Sequence, residues 1–98
     1  MNYTVRFPSA SIEKKFEKSL EDVFPASLRK DIFDKVQKLA KEPRPHGNPK
    51  IKPPVYVYNY AAQHRLRVGD YRILYDVDDT RKIVWILALR RRSEDTYL

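Results

Sequence analysis

Apolar and polar positions alternate at the start of the chain. Tyr3, Val5 and Phe7 fall on one side and Asn2, Thr4 and Arg6 on the other, the pattern of a half-buried strand. Pro8 ends it, and Ser9 or Ser11 is placed to cap a helix. Ile12, Phe16 and Leu20 recur four residues apart, predicting a short amphipathic helix over 10–22. Pro25 breaks that helix and can open the next. Leu28, Ile32, Phe33, Val36, Leu39 and Ala40 form a single apolar stripe, predicting a second helix over 26–42 that Pro43 stops. The short link between the two helices implies an antiparallel pair.

The stretch "PRPHGNPKIKPP", 43–54, holds five prolines and a glycine and reads as a stiff connector. Beyond it the period becomes two. "VYVYNY" puts Val55, Val57 and Asn59 on one side and Tyr56, Tyr58 and Tyr60 on the other, and reads as one strand. "HRLRV", "YRILYDV" and "KIVWILAL" follow as three more. Gly69-Asp70, glycine first, suits a two-residue type II′ hairpin turn, and "DDTR" makes the next turn. Residues 83–89 are apolar on both faces, as a central strand requires. The order β-α-α-β-β-β-β predicts an α+β fold, an antiparallel sheet with an antiparallel helix pair packed on one face. The other face is left partly to solvent or to a partner. With 98 residues and no internal repeat, 1–98 reads as a single domain.

The hairpin 65–75, "RLRVGDYRILY", fixes its own register. A two-residue loop at 69–70 sets Val68 opposite Tyr71, Arg67 opposite Arg72, Leu66 opposite Ile73 and Arg65 opposite Leu74. Leu66, Val68, Tyr71, Ile73 and Tyr75 then share one face, and Arg65, Arg67 and Arg72 the other. A slip of one residue would bury the arginines. Directly opposed like charges are destabilising, so the cluster asks for an anion or for a well-solvated face. Asp76 shares the parity of Arg72, but one carboxylate cannot balance three guanidiniums. Arg90 continues the parity of Val84, Ile86 and Ala88 just past an apolar strand, and Arg91 and Arg92 follow.

Charge adds to this picture. The net charge is +7. Residues 1–42 carry nine Lys/Arg against seven Asp/Glu, while 43–98 carry eleven against six, and eight of those eleven are arginines. The planar guanidinium fork suits phosphate, so the excess points to a polyanionic partner. The tyrosine stripe 56, 58 and 60 is most simply core or sheet surface, with base stacking as the sharper alternative. His46 reads as a loop residue and His64 as a packed strand residue. There is no cysteine, no paired-carboxylate signature and no glycine-rich phosphate loop, so no metal or cofactor is expected. No apolar run approaches the roughly 18 residues a spanning helix needs. The opening residues carry no targeting pattern, and a cytoplasmic protein is expected.

"RLRVGDYRILYDVDD", then an apolar strand, then "RRRSEDTY", resembles the RelE/ParE toxin superfamily, and the element order resembles it over nearly the whole chain. The resemblance implies a ribosome-dependent messenger RNA endonuclease of a type II toxin–antitoxin system, with a cognate antitoxin protein, the ribosome and mRNA as partners. The alternative within the superfamily is a ParE-like DNA gyrase inhibitor without nuclease activity. By resemblance the catalytic set falls on Arg65, Arg67, Arg72, Arg90 and Tyr97, with Arg91, Arg92, Lys50 and Lys52 as further RNA contacts. The stretch "SEDTY" has one residue more before the tyrosine than is common in the family.

The chemistry expected is metal-independent transesterification by the RNA 2′-OH, leaving a 2′,3′-cyclic phosphate. Arginines stabilise charge on the crowded phosphate but are poor proton carriers, since their pKa lies above about 12. Tyr97 is the expected acid/base or base-stacking group, with Glu94, Asp95 and His64 behind it.

Overall fold

The computed structural model describes residues 2–45, 51 and 53–91. β1 (Thr4–Arg6) leads into α1 (Ala10–Glu21) and α2 (Ser27–Lys38), followed by β2 (Val55–Val57), β3 (Tyr60–Ala62), β4 (His64–Val68), β5 (Tyr71–Asp78) and β6 (Ile83–Arg91). The expected α+β architecture holds. Four strands form the main sheet in the order β1-β6-β5-β4, so β6 is internal, as its two apolar faces require. Among the described residues no helix is long and apolar enough to cross a membrane.

Three local expectations change. First, the sheet is mixed and not purely antiparallel, because β1 runs parallel to β6, with Val5 beside Val84. The crossover through both helices brings the chain back in the same direction, which a strand pattern cannot reveal. Second, "VYVYNY" is not one strand. It folds back at Tyr58-Asn59 into the β2–β3 hairpin, with Val57 opposite Tyr60, so the order becomes β-α-α-β-β-β-β-β. Third, α2 stops at Lys38. Beyond it Leu39, Ala40 and Lys41 donate to carbonyls three residues back, and the helix tightens into turns.

The helices cover one face of the sheet, α1 against β6 and α2 against β4. Phe16, Ile32 and Leu39 meet Val68, Tyr71, Ile73, Tyr75, Val84 and Ile86 there. Ser9 caps α1, its hydroxyl accepting from the Ile12 amide at 3.2 Å. The Phe24 amide donates to the Tyr71 hydroxyl at 3.1 Å, tying the link between the helices to the β4–β5 hairpin. A smaller core lies on the other face, where Val57 and Ala62 of the β2–β3 hairpin pack on Leu74 and Leu87.

The two two-residue hairpin turns share a positive φ at the first loop position, on different residues. Gly69 has φ 58 and Tyr58 has φ 57, each at the first loop position. Glycine takes that conformation without steric penalty, whereas a side chain there costs about 1–2 kcal/mol. Tyr58 therefore holds a strained position that the chain elsewhere gives to glycine.

The end of α2 is fastened to the sheet. The Tyr3 amide donates to the Ala40 carbonyl at 2.7 Å, and the Tyr75 hydroxyl to the Pro43 carbonyl at 2.9 Å. Arg44 grips Asp79 with both terminal nitrogens, at 3.1 and 2.8 Å, and the Tyr3 hydroxyl donates to the same carboxylate. These bonds, Arg44 first, pull the Asp79 carboxyl from 3.8 down to about 2. A depressed folded-state pKa stabilises above the unfolded value and loses that effect as pH falls through the folded one. Asp79→Asn is therefore expected to be less stable than the parent at neutral pH. The gap in urea midpoints should close as pH falls from about 3.8 toward about 2. Because the pair is solvent-exposed the gap should be small, and a gap that persists undiminished at the acid end would remove the clamp as its source.

Candidate nucleic-acid interface

The β4–β5 register agrees with the expected one at every position: Val68 pairs with Tyr71, Arg67 with Arg72, Leu66 with Ile73 and Arg65 with Leu74. Alternation then sorts the side chains. Val68, Tyr71, Ile73 and Tyr75 are buried under the helices, while Arg65 and Arg67 are exposed and Arg72 is half-buried on the opposite face.

β6 extends the cluster by one strand. Arg90 pairs with Arg72, so Arg67, Arg72 and Arg90 occupy a single rung across β4, β5 and β6. Residues directly opposite in a sheet share a face, with backbones about 5 Å apart. Arg65 lies two residues along β4 from Arg67, about 7 Å at the usual strand rise. Burial first, then the charges of Arg67 and Arg72, lower the Arg65 pKa below its ordinary value. The group stays cationic at neutral pH.

The route by which Arg90 reaches this rung corrects its sequence assignment. Simple alternation from Val84 and Ile86 would carry Ala88 and Arg90 to the helix side, since Val84 and Ile86 sit in the core beneath the helices. The pairing instead shifts between Leu74–Ala88 and Tyr75–Ile86, leaving Leu87 as an additional residue in β6. That β-bulge turns Ala88 and Arg90 onto the arginine face and returns Leu89 to the helix-side core. Arg91, one residue on, pairs with Tyr71 and falls on the helix side, away from the row. Arg92, Tyr97, Lys50 and Lys52 lie outside the described residues, as do Glu94, Asp95 and His46.

The surroundings narrow what the face can do. Asp76 lies four residues along β5 from Arg72, about 13 Å by strand rise, opposite Trp85 at the far end of the strand. His64 is 2% exposed, and its ring stacks on Tyr75 at 5.5 Å between centroids, the packed role expected for it. The β2–β3 hairpin covers the middle of this face through Leu74 and Leu87, and at its arginine end Arg65 and Arg67 are exposed while Arg72 and Arg90 are half-buried. Tyr56, Tyr58 and Tyr60 are not core residues: all three are exposed on that hairpin.

A cleft of about 400 Å³ opens beside the row, along β6 beyond its pairing with β1. Arg90 and Leu87 line one wall, Lys15 and Phe16 of α1 another, and Tyr58 a third. The Lys15 ammonium sits over the Tyr58 ring at 5.0 Å. No local pattern pointed to Lys15, because nothing local relates residue 15 to residue 90. Tyr58 belonged to a visible stripe, but its exposure follows from the turn.

The arrangement can therefore bind an extended polyanion, with phosphate over the arginine row and aromatic surface at its side. Residues 10–96 match the family described as ParE toxin of type II toxin-antitoxin system, parDE. No curated protein matches the chain. Among solved structures, the chain is similar to the toxin–antitoxin complex RelBE2 from Mycobacterium tuberculosis. That match has 27% identity and a TM-score of 0.62, covering 94% of this chain and 100% of the other. It is similar to the archaeal RelE–RelB complex from Pyrococcus horikoshii, with 26% identity and a TM-score of 0.64, covering 94% and 97%. The free Escherichia coli toxin RelE, in a double arginine-to-alanine mutant, shares the fold at 21% identity and a TM-score of 0.61, covering 97% and 88%.

Proposed function

The chain belongs to the ParE toxin family of type II toxin–antitoxin systems, within the RelE/ParE superfamily, and from that premise we propose that it is an endoribonuclease that cleaves messenger RNA on the ribosome. The observation that carries this reading is the single rung Arg67–Arg72–Arg90 with Arg65 beside it, at one end of one sheet face. In the cleavage the 2′-hydroxyl gives up its proton and its oxygen attacks the adjacent phosphorus, the bond to the 5′-oxygen breaks, and that oxygen takes up a proton, leaving a 2′,3′-cyclic phosphate. Negative charge on the phosphate oxygens rises on the way, and guanidiniums fixed in a sheet meet it without reorganising. Arginine is too weak an acid to move the protons. Tyr97 is the proposed proton carrier, and positioning of the strand by the ribosome supplies in-line geometry. The similar structures from M. tuberculosis and P. horikoshii are toxin–antitoxin complexes, and a cognate antitoxin is the proposed partner here.

A second reading takes its support from the name of the matched family, ParE toxin: inhibition of DNA gyrase without nuclease activity. Primer extension on actively translated messenger RNA separates the two. The nuclease reading expects discrete cuts in messages that are being translated and none in untranslated ones. Growth arrest with intact messages and a DNA-damage response would establish the gyrase reading in its place.

A further inference from the structure

The cleft beside Arg90 has three features in combination. Its Tyr58 side chain is 61% exposed, like its hairpin neighbour Tyr56 at 66%. That tyrosine occupies the left-handed first position of a two-residue turn, the position filled by glycine in the β4–β5 hairpin. A bulky residue at positive φ is a conformational outlier, and such outliers concentrate at functional sites. Finally, the cleft joins the arginine row through Arg90, so a chain whose phosphate lies on the row can place its next base against Tyr58. Its volume of about 400 Å³ lies in the range of small-ligand clefts, roughly 300–1,000 Å³.

We propose that this cleft is a base subsite for single-stranded RNA: the Tyr58 ring stacks on the nucleobase adjacent to the phosphate held by Arg72 and Arg90, the base taking the place of the Lys15 ammonium that sits over the ring at 5.0 Å. The subsite deepens the nuclease reading and rests on it. It assigns a purpose to the hairpin tyrosine that neither the arginine row nor the family match requires. Stacking is sequence-tolerant, since every base has a π-face, so this contact supplies affinity and positioning without codon choice.

The test uses the full chain and a 2′-O-methylated RNA tetranucleotide, which lacks the nucleophile and cannot be cut, beside an abasic oligonucleotide of equal charge. Fluorescence anisotropy is expected to show Tyr58→Gly binding the base-bearing oligonucleotide about tenfold more weakly than the parent. Affinity for the abasic one should stay unchanged, and Tyr58→Phe should behave as the parent. The thermal midpoint of Tyr58→Gly should hold or rise, because glycine relieves the turn. This separates a lost contact from a damaged fold. Equal loss on both oligonucleotides, no loss on either, or no base dependence in the parent, as for a cleft that docks a protein surface, would overturn the subsite. Cleavage of translated message by the parent is measured alongside. Base-dependent binding without cleavage sinks the nuclease reading alone, and cleavage without base dependence sinks the subsite alone.

Discussion

Arg72→Ala is expected to lower messenger RNA cleavage by at least about a hundredfold, the usual loss when one fixed donor to a developing oxyanion is removed. Arg72 is the middle member of the rung, with Arg67 on one side and Arg90 on the other. It is the arginine best placed to reach a phosphate that either neighbour also touches. Its side chain is half-buried, so it is held in place more firmly than the exposed Arg65 and Arg67. Removing it also relieves like-charge repulsion worth some tenths of a kcal/mol. Stability should consequently stay within about 1 kcal/mol of the parent. Primer extension on translated message reads the first effect and urea unfolding the second. Full cleavage by a folded Arg72→Ala protein would dismiss the phosphate clamp.

Inserting one alanine between Leu89 and Arg90 should abolish cleavage to a similar degree while every arginine is retained. The insertion sets alanine opposite Arg72 and moves Arg90 to the place opposite Tyr71, where Arg91 now stands. Because an arginine already occupies that helix-side position and is exposed there, the fold should lose less than about 1 kcal/mol. Arg90→Ala leaves all later residues in step and should show the same loss, which isolates Arg90 from any shift of the tail. An active insertion variant would mean that positive charge in bulk suffices and that the rung has no special role.

These two variants bear on how much of the site was legible in the chain. The β4–β5 half was legible in full. Gly69 and Asp70 define a turn with only one compatible register, and alternation over Leu66, Val68, Tyr71 and Ile73 fixes which face meets the core. Arg65, Arg67 and Arg72 followed from that without further information. Arg90 does lie in the arginine row, but the parity argument that put it there fails in detail, because its parity with Val84 and Ile86 holds only for an unbulged strand. The bulge at Leu87 answers to packing on two faces at once, Ile86 and Leu89 against the helices and Leu87 against the small hairpin. An alternating pattern cannot display that demand. The tyrosine stripe was misread for a related reason. "VYVYNY" has the composition of a strand, and tyrosine is a poor candidate for the left-handed turn position, so nothing local marks the reversal at Tyr58.

By itself the sequence determined whatever depends on neighbours along the chain: the two helices, the strand faces, the turn at Gly69 and three arginines on one side of a hairpin. Local sterics and the periodicity of burial suffice for those. Only the tertiary structure decided what depends on elements distant in sequence. It set β1 parallel beside β6, turned Arg90 through a bulge into line with Arg72, and folded the β2–β3 hairpin so that Tyr58 faces Lys15 across a cleft ending at Arg90. Each of those outcomes is settled by which apolar surfaces can be buried together in three dimensions, a competition that no stretch of the chain contains alone.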